Sequence, residues 1–407
     1  MKKSGCLSYI IVIIIAFIAA FWIAGYLEDN PIELPNFDDI FPSSPDSSNS
    51  DGNGGGYIPP STSEGFTYYD QLNDEEKYIY NAFHEGINDG NISFKFKDVN
   101  CEEYEEYSFK ALRALTYDHP EYFWLKCGIR HTSSHSLFSE TGTVTAELMY
   151  YDFWEFNLSK DQKIRELESA VNEVASMALQ IDSDFERIKF VHDYLIENAI
   201  YDHDGLNEYY KTVHDASCEY IFTAYGCLIN KKTVCSGYAK AFQLIMEKMG
   251  YDCLYVVGYA GESHAWNMVF IEGEGYYFDI TWDDADFDDG ERPIYDYFGI
   301  TTERLERTHA IDEDFTLPMC TAEKYDYFNY TNSHVDVYDF DQVKNIIESQ
   351  RNNDVIHIRF GSAKDMVRAT QDMFENQKLF SVDPFTNVTS YRYIKNESLF
   401  TLGFLLK

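Results

Sequence analysis

Basic residues are scarce in this 407-residue chain. Its 32 lysines and arginines are outnumbered by 69 acidic residues, which gives a formal net charge of −37. A surface with so large an excess of negative charge repels nucleic acid and anionic lipid. We therefore expect no nucleic-acid partner and no binding to acidic membrane surfaces.

Metal-binding patterns are missing as well. The eight cysteines include no CxxC pair and no Cys/His set with zinc spacing. The acidic run that begins at Asp283 fails the EF-hand pattern, because Asp289 and Tyr295 occupy positions that require Gly and Glu. We predict a solvated loop there, with a calcium site of another type as the alternative.

One apolar run is long enough to span a bilayer. Residues 7–27 carry no charge, two lysines precede them and two acidic residues follow. This pattern predicts a membrane helix within residues 1–27, with the N-terminus in the cytoplasm and the rest of the chain outside. A cleaved signal peptide, and hence a secreted protein, is the alternative. Residues 28–65 are rich in Pro, Ser, Gly and Asp, which predicts a flexible linker.

The remaining chain divides into three predicted segments. Residues 66–159 read as an α/β region, residues 160–330 as the core, and residues 331–407 as a small separate α/β unit without a catalytic constellation. Two helices, predicted at 160–179 and 184–199, lead into the core.

Cys235 opens a helix in the core. Apolar residues recur at spacings of three and four from Ala239 to Met249, and Gly250 follows as a helix stop. At a helix N-terminus the dipole and the free backbone N–H groups favour a thiolate. A lone cysteine on an apolar helix is more often a buried hydrophobic residue, so the assignment depends on its neighbours.

His264 and Asp279 flank a predicted hairpin. If Glu272 and Gly273 form its two-residue turn, Asp279 lies opposite Trp266 and shares one face of the hairpin with His264. A slip of one residue would place the two side chains on opposite faces. A thiol, an imidazole and a carboxylate are the groups that cysteine-based acyl transfer requires.

Three blocks carry a resemblance. Cys-Ser-Gly-Tyr-Ala from Cys235, His-Ala-Trp-Asn from His264 and Asp-Ile-Thr-Trp-Asp from Asp279 resemble the signatures of the transglutaminase-like superfamily, over roughly residues 160–330. The block at 118–125 is similar to one that accompanies bacterial members. The resemblance implies an α+β, papain-like core in which the helix bearing the cysteine packs on an antiparallel sheet. It also implies Cys235 as nucleophile, His264 as general base and then acid, Asp279 as the orienting carboxylate, and no metal or organic cofactor.

Substrate chemistry stays open at this stage. Animal cross-linking members have Gly-Gln before the cysteine and Trp after it, whereas Thr-Val and Ser236 stand here. We therefore expect hydrolysis of amide or peptide bonds in a protein or peptide substrate, ahead of transfer to an amine. A non-catalytic surface binding module is the third possibility.

Other polar residues receive weaker assignments. Tyr225 is a candidate hydroxyl that helps the Cys235 N–H group hold an oxyanion. His192 is expected to be a structural histidine with satisfied hydrogen bonds. The six remaining cysteines of the folded part form an even set in a compartment that permits disulfides, with pairing open: Cys101, Cys127, Cys218, Cys227, Cys253 and Cys320.

Overall fold

The computed structural model describes residues 66–135, 139–151, 160–211, 216–287, 290–388 and 391–406. The predicted membrane helix and the predicted linker lie outside these residues. Within the described ranges, none of the helices combines the length and the apolar character needed to cross a bilayer.

The first folded segment packs two helices on a small sheet. Helix α1 starts with a capping box, in which Asn73 and Glu76 satisfy each other's backbone N–H groups. The sheet is antiparallel with the order β1-β3-β2. The elements are α1 Asp74–Asn88, β1 Ser93–Asn100, α2 Cys101–Asp118, β2 Leu125–His135 and β3 Thr141–Tyr150. The sequence predicts helices at 70–89 and 101–119 and strands at 92–99 and 143–151, which correspond to α1, α2, β1 and β3. It predicts no strand at β2, whose burial does not alternate strictly.

The core segment combines helices with a five-stranded antiparallel sheet of order β11-β8-β7-β6-β12. Helix α6 packs on this sheet and begins at Cys235, as predicted. Its helices are α3 Lys160–Ala178, α4 Asp184–Asn198, α5 His203–Lys211, α6 Cys235–Lys248, α7 Ile280–Asp283, α8 Thr302–Leu305 and α9 Tyr327–Tyr330. Its strands are β4 Ile200–Tyr201, β5 Lys232–Thr233, β6 Cys253–Tyr259, β7 Ser263–Ile271, β8 Glu274–Phe278, β9 Asp284–Phe287, β10 Gly290–Pro293, β11 Phe298–Ile300 and β12 Ala310–Ile311.

The C-terminal segment forms a four-stranded sheet of order β13-β14-β16-β15 with two helices. Its elements are β13 His334–Val335, α10 Phe340–Ser349, β14 Val355–Phe360, α11 Ala363–Thr370, β15 Tyr391–Asn396 and β16 Thr401–Leu406. The sequence predicts helices at 340–350 and 363–377, a strand at 354–360 and a closing hairpin of 388–394 with 398–406. The corresponding elements are α10, α11, β14, β15 and β16.

Two main hydrophobic cores organise the described residues. Apolar side chains from 66–151 and from the core segment belong to one cluster, so the first segment shares the core of the second. A second cluster is formed by side chains between Val335 and Phe404. Buried Arg359 on β14 donates to both carboxylate oxygens of Asp326, at 2.6 and 2.7 Å, and so ties the C-terminal sheet to the start of α9.

Two expectations about side chains need correction. The acidic run is not simply a solvated loop, because Asp283 is fully buried and β9 and β10 follow it as an antiparallel pair. The carboxylate of Asp283 accepts from the Tyr297 backbone and meets His192 Nε2 at 3.3 Å. All seven cysteines from Cys101 to Cys320, including Cys235, are free thiols, so the even set forms no disulfide in this structure.

Candidate active site

The start of α6 is fixed by a close fit to the segment before it. Thr233 Oγ1 donates to the Ile221 carbonyl at 3.0 Å, and Val234 N donates to the same carbonyl at 3.0 Å. A Cβ on Gly237 would overlap Thr233 Oγ1, so only glycine allows this approach. Val234 precedes the helix and gives no side-chain cap. Gly237 N and Tyr238 N donate to the Val234 carbonyl, so the N–H groups of Cys235 and Ser236 are the ones placed to receive a ligand beside the thiol.

The hairpin has the register that the sequence predicted. Glu272 and Gly273 form the two-residue turn, both with positive φ, and Ile271 pairs with Glu274. The pairing ends at Asn267 and Phe278, so Asp279 stands one residue beyond β8 and not within it. There it caps α7 by accepting from the Trp282 backbone at 3.1 Å.

Asn267 holds the hairpin against the helix that bears Cys235. This buried side chain, in the His-Ala-Trp-Asn block, donates to the Ala239 carbonyl of α6 at 3.0 Å. It also donates to the Leu254 carbonyl of β6 at 3.2 Å. The block therefore sets the distance between the strand that carries His264 and the helix that carries Cys235.

The three predicted residues come together. His264 Nε2 lies 2.7 Å from Asp279 Oδ2, and Cys235 is among the groups that interact with the imidazole. Because Nε2 is engaged by Asp279, Nδ1 is the nitrogen left to face the thiol. Burial by itself lowers the pKa of His264, but the Asp279 carboxylate and then Cys235 outweigh it and raise the pKa to about 10. An imidazolium is thus the favoured form of His264 at neutral pH.

Asp279 has the complementary shift. Burial by itself raises the pKa of this carboxyl, yet the charge and hydrogen bond of His264, followed by His309, hold it well below its usual range. The carboxylate is only 1% exposed, so the charge is stabilised by its N–H donors and not by bulk water.

His309 is the residue that sequence reasoning missed. Its Nε2 lies 3.0 Å from the same Asp279 oxygen that faces His264. His309 follows α8, 30 positions after Asp279, outside all three recognisable blocks. No local pattern marks it, since the contact depends on how β12 returns to pair with β6.

His264, Asp279 and His309 are close enough to hold a metal ion, and they form such a group among the residues that the structure describes. Their separations argue for hydrogen bonds instead. Two ligand atoms that bind one zinc ion at about 2.0–2.2 Å in tetrahedral geometry lie roughly 3.3 Å from each other. The 2.7 and 3.0 Å contacts to Asp279 are ordinary N–H···O distances.

Aromatic rings cover the imidazoles. Trp266 stacks with His264 at a centroid distance of 5.8 Å, and Trp282 lies 5.9 Å from it on the solvent side with 36% of its surface exposed. Both indoles also contact His309. These rings keep water from the histidine–aspartate contacts and strengthen them.

Tyr225 and Tyr201 differ in their relation to the cysteine. The Tyr225 hydroxyl donates to Glu166 Oε2 at 2.6 Å, and its ring stacks on Phe123. Tyr201 pairs with Thr233, two residues before Cys235, and burial followed by the charge of Cys235 raises the pKa of its phenol. Of the two tyrosines, Tyr201 is the one whose surroundings include the thiol.

His192 is a structural histidine, as predicted. The fully buried ring meets Asp193 Oδ1 at 2.9 Å through Nδ1 and Asp283 Oδ2 through Nε2. The pKa of His192 is raised, because these two carboxylates outweigh burial. The contact to Asp283 anchors the end of α7, the short helix that Asp279 begins.

Comparisons with known proteins agree with this geometry. The family model described as the transglutaminase-like superfamily matches residues 174–280. The mouse kyphoscoliosis peptidase is 30% identical over 130 residues, which cover 28% of this chain and 18% of that protein. The chain therefore corresponds to less than a fifth of that relative.

Solved structures give weaker likenesses. A structure described as that of a TGase is 15% identical and has a TM-score of 0.29, covering 39% of this chain and 45% of its own. A candidate cysteine protease from Cytophaga hutchinsonii is 14% identical and has a TM-score of 0.23. The match covers 42% of this chain and 67% of that protease chain. Scores of this size do not establish a shared fold.

The match at 174–280 contains Cys235, His264 and Asp279, the residues that the three blocks singled out. Over this part, the chain is similar to the transglutaminase-like superfamily.

Proposed function

We propose that the protein is a cysteine enzyme that cleaves amide or peptide bonds through a thioester on Cys235. One observation carries the proposal: His264 meets the Asp279 carboxylate at 2.7 Å, and Cys235 is among the groups that raise the pKa of the same imidazole. The matching segment of the mouse relative, whose name includes the word peptidase, supports the same reaction class.

In the acylation step, Cys235, His264 and Asp279 each have one role. The Cys235 thiolate attacks the carbonyl carbon, and the resulting oxyanion accepts a hydrogen bond from the backbone N–H at the start of α6. The His264 imidazolium then gives its proton to the leaving nitrogen, the C–N bond breaks, and a thioester remains. Asp279 keeps the imidazolium charged and oriented during the transfer.

Deacylation restores the thiol. A water molecule attacks the thioester carbonyl while neutral His264 takes its proton, and the C–S bond breaks to release a carboxylic acid. An amine in place of water gives a new amide instead. Ser236 follows Cys235 where cross-linking enzymes have Trp, and its small side chain donates to the Phe222 carbonyl. We favour water for this reason.

The cellular setting is part of the proposal. The uncharged run at 7–27 and the polar linker after it support a single-pass membrane protein with its catalytic part outside the cytoplasm, or a secreted form if the run is cleaved. Immunoblotting of membrane and medium fractions, with N-terminal sequencing of the mature chain, tests this. A mature chain found only in the cytosol would exclude both versions.

Selective alkylation tests the site without a known substrate. Cys235 is expected to react with iodoacetamide in mildly acidic buffer, where ordinary thiols are inert. Burial raises the pKa of three other cysteines, which makes them slow competitors: Cys227, Cys253 and Cys320. His264→Ala is the matched variant. The proposal fails if Cys235 labels no faster than the other thiols, or equally fast without His264.

A competition assay separates hydrolysis from transfer. The protein is incubated with a peptide library and a labelled primary amine, and mass spectrometry scores cleavage, deamidation and amine incorporation. We expect cleavage or deamidation to exceed incorporation, and Cys235→Ala to abolish both. Incorporation that exceeds hydrolysis would make the protein an amine transferase.

A further inference from the structure

We propose that His309 is a positioning residue for the site: its Nε2–H group donates to Asp279 Oδ2 and fixes the carboxylate that orients His264. The inference rests on the proposed cysteine-enzyme function and extends it by a fourth residue. Asp279 Oδ2 meets His264 at 2.7 Å and His309 at 3.0 Å, while Oδ1 accepts from the Trp282 backbone. Three N–H groups on two oxygens leave the carboxylate little freedom to rotate.

The backbone around His309 is held on both sides. Its N–H group donates to the Leu305 carbonyl at 2.9 Å, and Ile311 pairs with Gly258 on β6. The same Gly258 pairs with His264 on its other edge. One residue of β6 therefore sets the spacing between the two histidine-bearing segments.

Gly258 is required for that spacing. A Cβ at this position would overlap the Ala310 carbonyl oxygen and come within 2.7 Å of the Trp266 ring. Any larger residue would push β12 away and carry His309 with it. The glycine thus allows the close approach that brings a second imidazole to Asp279.

A short chain of hydroxyls contacts the His309 ring at its other nitrogen. His309 Nδ1 lies 2.8 Å from Thr308 Oγ1, which accepts from the Tyr297 hydroxyl at 3.2 Å and donates to the Leu305 carbonyl at 3.3 Å. Because an ionised carboxylate can only accept, Nε2 is the nitrogen that donates to Asp279.

The groups that face His309 belong to the same site. They are His264, whose ring centroid is 5.6 Å away, the Asp279 carboxylate, and the hydroxyl groups of Tyr297 and Thr308. His309 therefore adds a hydrogen bond to the carboxylate that already contacts His264.

Two variants separate the hydrogen bond from the ring. His309→Phe keeps an aromatic ring of similar size but loses the donor, whereas His309→Gln keeps an N–H group at a similar reach. We expect His309→Phe to lower the alkylation rate of Cys235 and kcat by about 10- to 100-fold, since small misplacements at a reacting centre cost that much. KM should change little. His309→Gln should recover most of the loss.

Controls distinguish positioning from folding. His357, on β14 of the C-terminal sheet, is another buried histidine that faces an aspartate, Asp296. His357→Phe should leave the alkylation rate of Cys235 unchanged. Thermal melting of all three variants reports stability, and the proton NMR signal of His264 Nε2–H reports its bond to Asp279. That signal should move in His309→Phe and stay in His309→Gln.

Each outcome decides one question. A wild-type Cys235 that is unreactive overturns the proposed function itself. A reactive wild type with an unaffected His309→Phe, or with His309→Gln as impaired as His309→Phe, overturns the positioning role alone. Loss of activity on treatment with a chelator, reversed by zinc, would make His309 a metal ligand and also overturn it.

Discussion

At the scale of single residues, Asp279 is the side chain on which both the activity and the pH dependence of folding should depend most. It caps α7, faces two histidines and is almost fully buried, so its charge has no bulk water to stabilise it. Its effect on His264 is the larger part of the raised pKa of that imidazole. The activity and the pH dependence of folding should therefore both depend on this carboxylate.

Replacement of Asp279 by Asn tests this dependence. The pKa of His264, raised to about 10, should fall by about 1–3 units because the neighbouring negative charge is gone. NMR titration of the His264 ring protons measures the change directly. Asp336→Asn removes the same charge at a position where the side chain is 92% exposed and serves as the control. An unchanged His264 titration would show that Asp279 does not set it.

The same shift fixes a pH window for stability. A histidine whose pKa is raised in the folded state adds stability that is complete below its unfolded value, about 6.5, and is lost as the pH rises through about 10. The urea concentration at the midpoint of unfolding should therefore fall for the wild type as the pH rises over this range. The fall should be smaller for Asp279→Asn. An equal dependence of the midpoint on pH in the two proteins would contradict the assignment.

Tyr225 gives a second test at this scale. Its hydroxyl donates to Glu166, so Tyr225→Phe should lower stability slightly and leave the reactivity of Cys235 unchanged. Urea unfolding and the alkylation rate measure the two effects. A fall in kcat of tenfold or more at unchanged stability would instead support the oxyanion role that the sequence suggested.

Local signals explain which site residues the sequence could predict. Cys235 begins a helix with a clear apolar spacing, and one hairpin joins the blocks of His264 and Asp279, whose register the Glu272–Gly273 turn determines. His309 reaches Asp279 only after the chain returns to the sheet edge, a contact that no periodicity encodes. The sequence likewise did not predict that Tyr201 lies near Cys235, because β4 and β5 pair although they are about 30 residues apart in the chain.

At the scale of elements, the start of α6 determines the position of Cys235. Gly237 faces three oxygen atoms of the preceding segment, and the Ile221 and Thr223 carbonyls would stand 2.7 and 2.8 Å from an added Cβ. Carbonyl groups of the backbone cannot rotate away as a long side chain can. The helix N-terminus must move if this glycine is replaced.

We expect Gly237→Ala to destabilise the fold by about 1–3 kcal/mol and to slow alkylation of Cys235, because overpacking displaces the helix start. Gly128→Ala is the control, since its added methyl group would meet only the flexible Met149 side chain, at 3.3 Å from the sulfur. Differential scanning calorimetry and the labelling rate provide the two measurements. A Gly237→Ala protein as reactive as the control would separate the helix start from the site.

Elements were predicted better than their arrangement. Helices such as α3 and α4 follow from apolar spacing, and the closing hairpin of β15 and β16 follows from alternation. The order β11-β8-β7-β6-β12 places β12, far along the chain, beside β6. Such neighbours depend on packing between distant segments, which sequence patterns do not report.

At the scale of the whole molecule, two kinds of charge act on Cys235. The net charge of −37 is spread over the chain, whereas the cations close to the thiol are His264 and Lys240, the latter with its pKa lowered by burial to about 8. Salt screens interactions beyond a Debye length of about 8 Å and has much less effect on buried neighbours. The salt dependence of a reaction at Cys235 therefore reports the distant negative charge and not the local cations.

We expect this distant field to select for positively charged reagents and, by extension, for basic peptide substrates. A cationic methanethiosulfonate should modify Cys235 more slowly as salt rises, an anionic one faster, and a neutral one at a constant rate, with changes of about tenfold. N-acetylcysteine treated in parallel gives the intrinsic rate of each reagent. If the rate of the cationic reagent does not fall as salt rises, the negative charge of the surface has no electrostatic effect at Cys235. Substrate choice would then depend on the groups that line it, with Trp282 at its exposed edge.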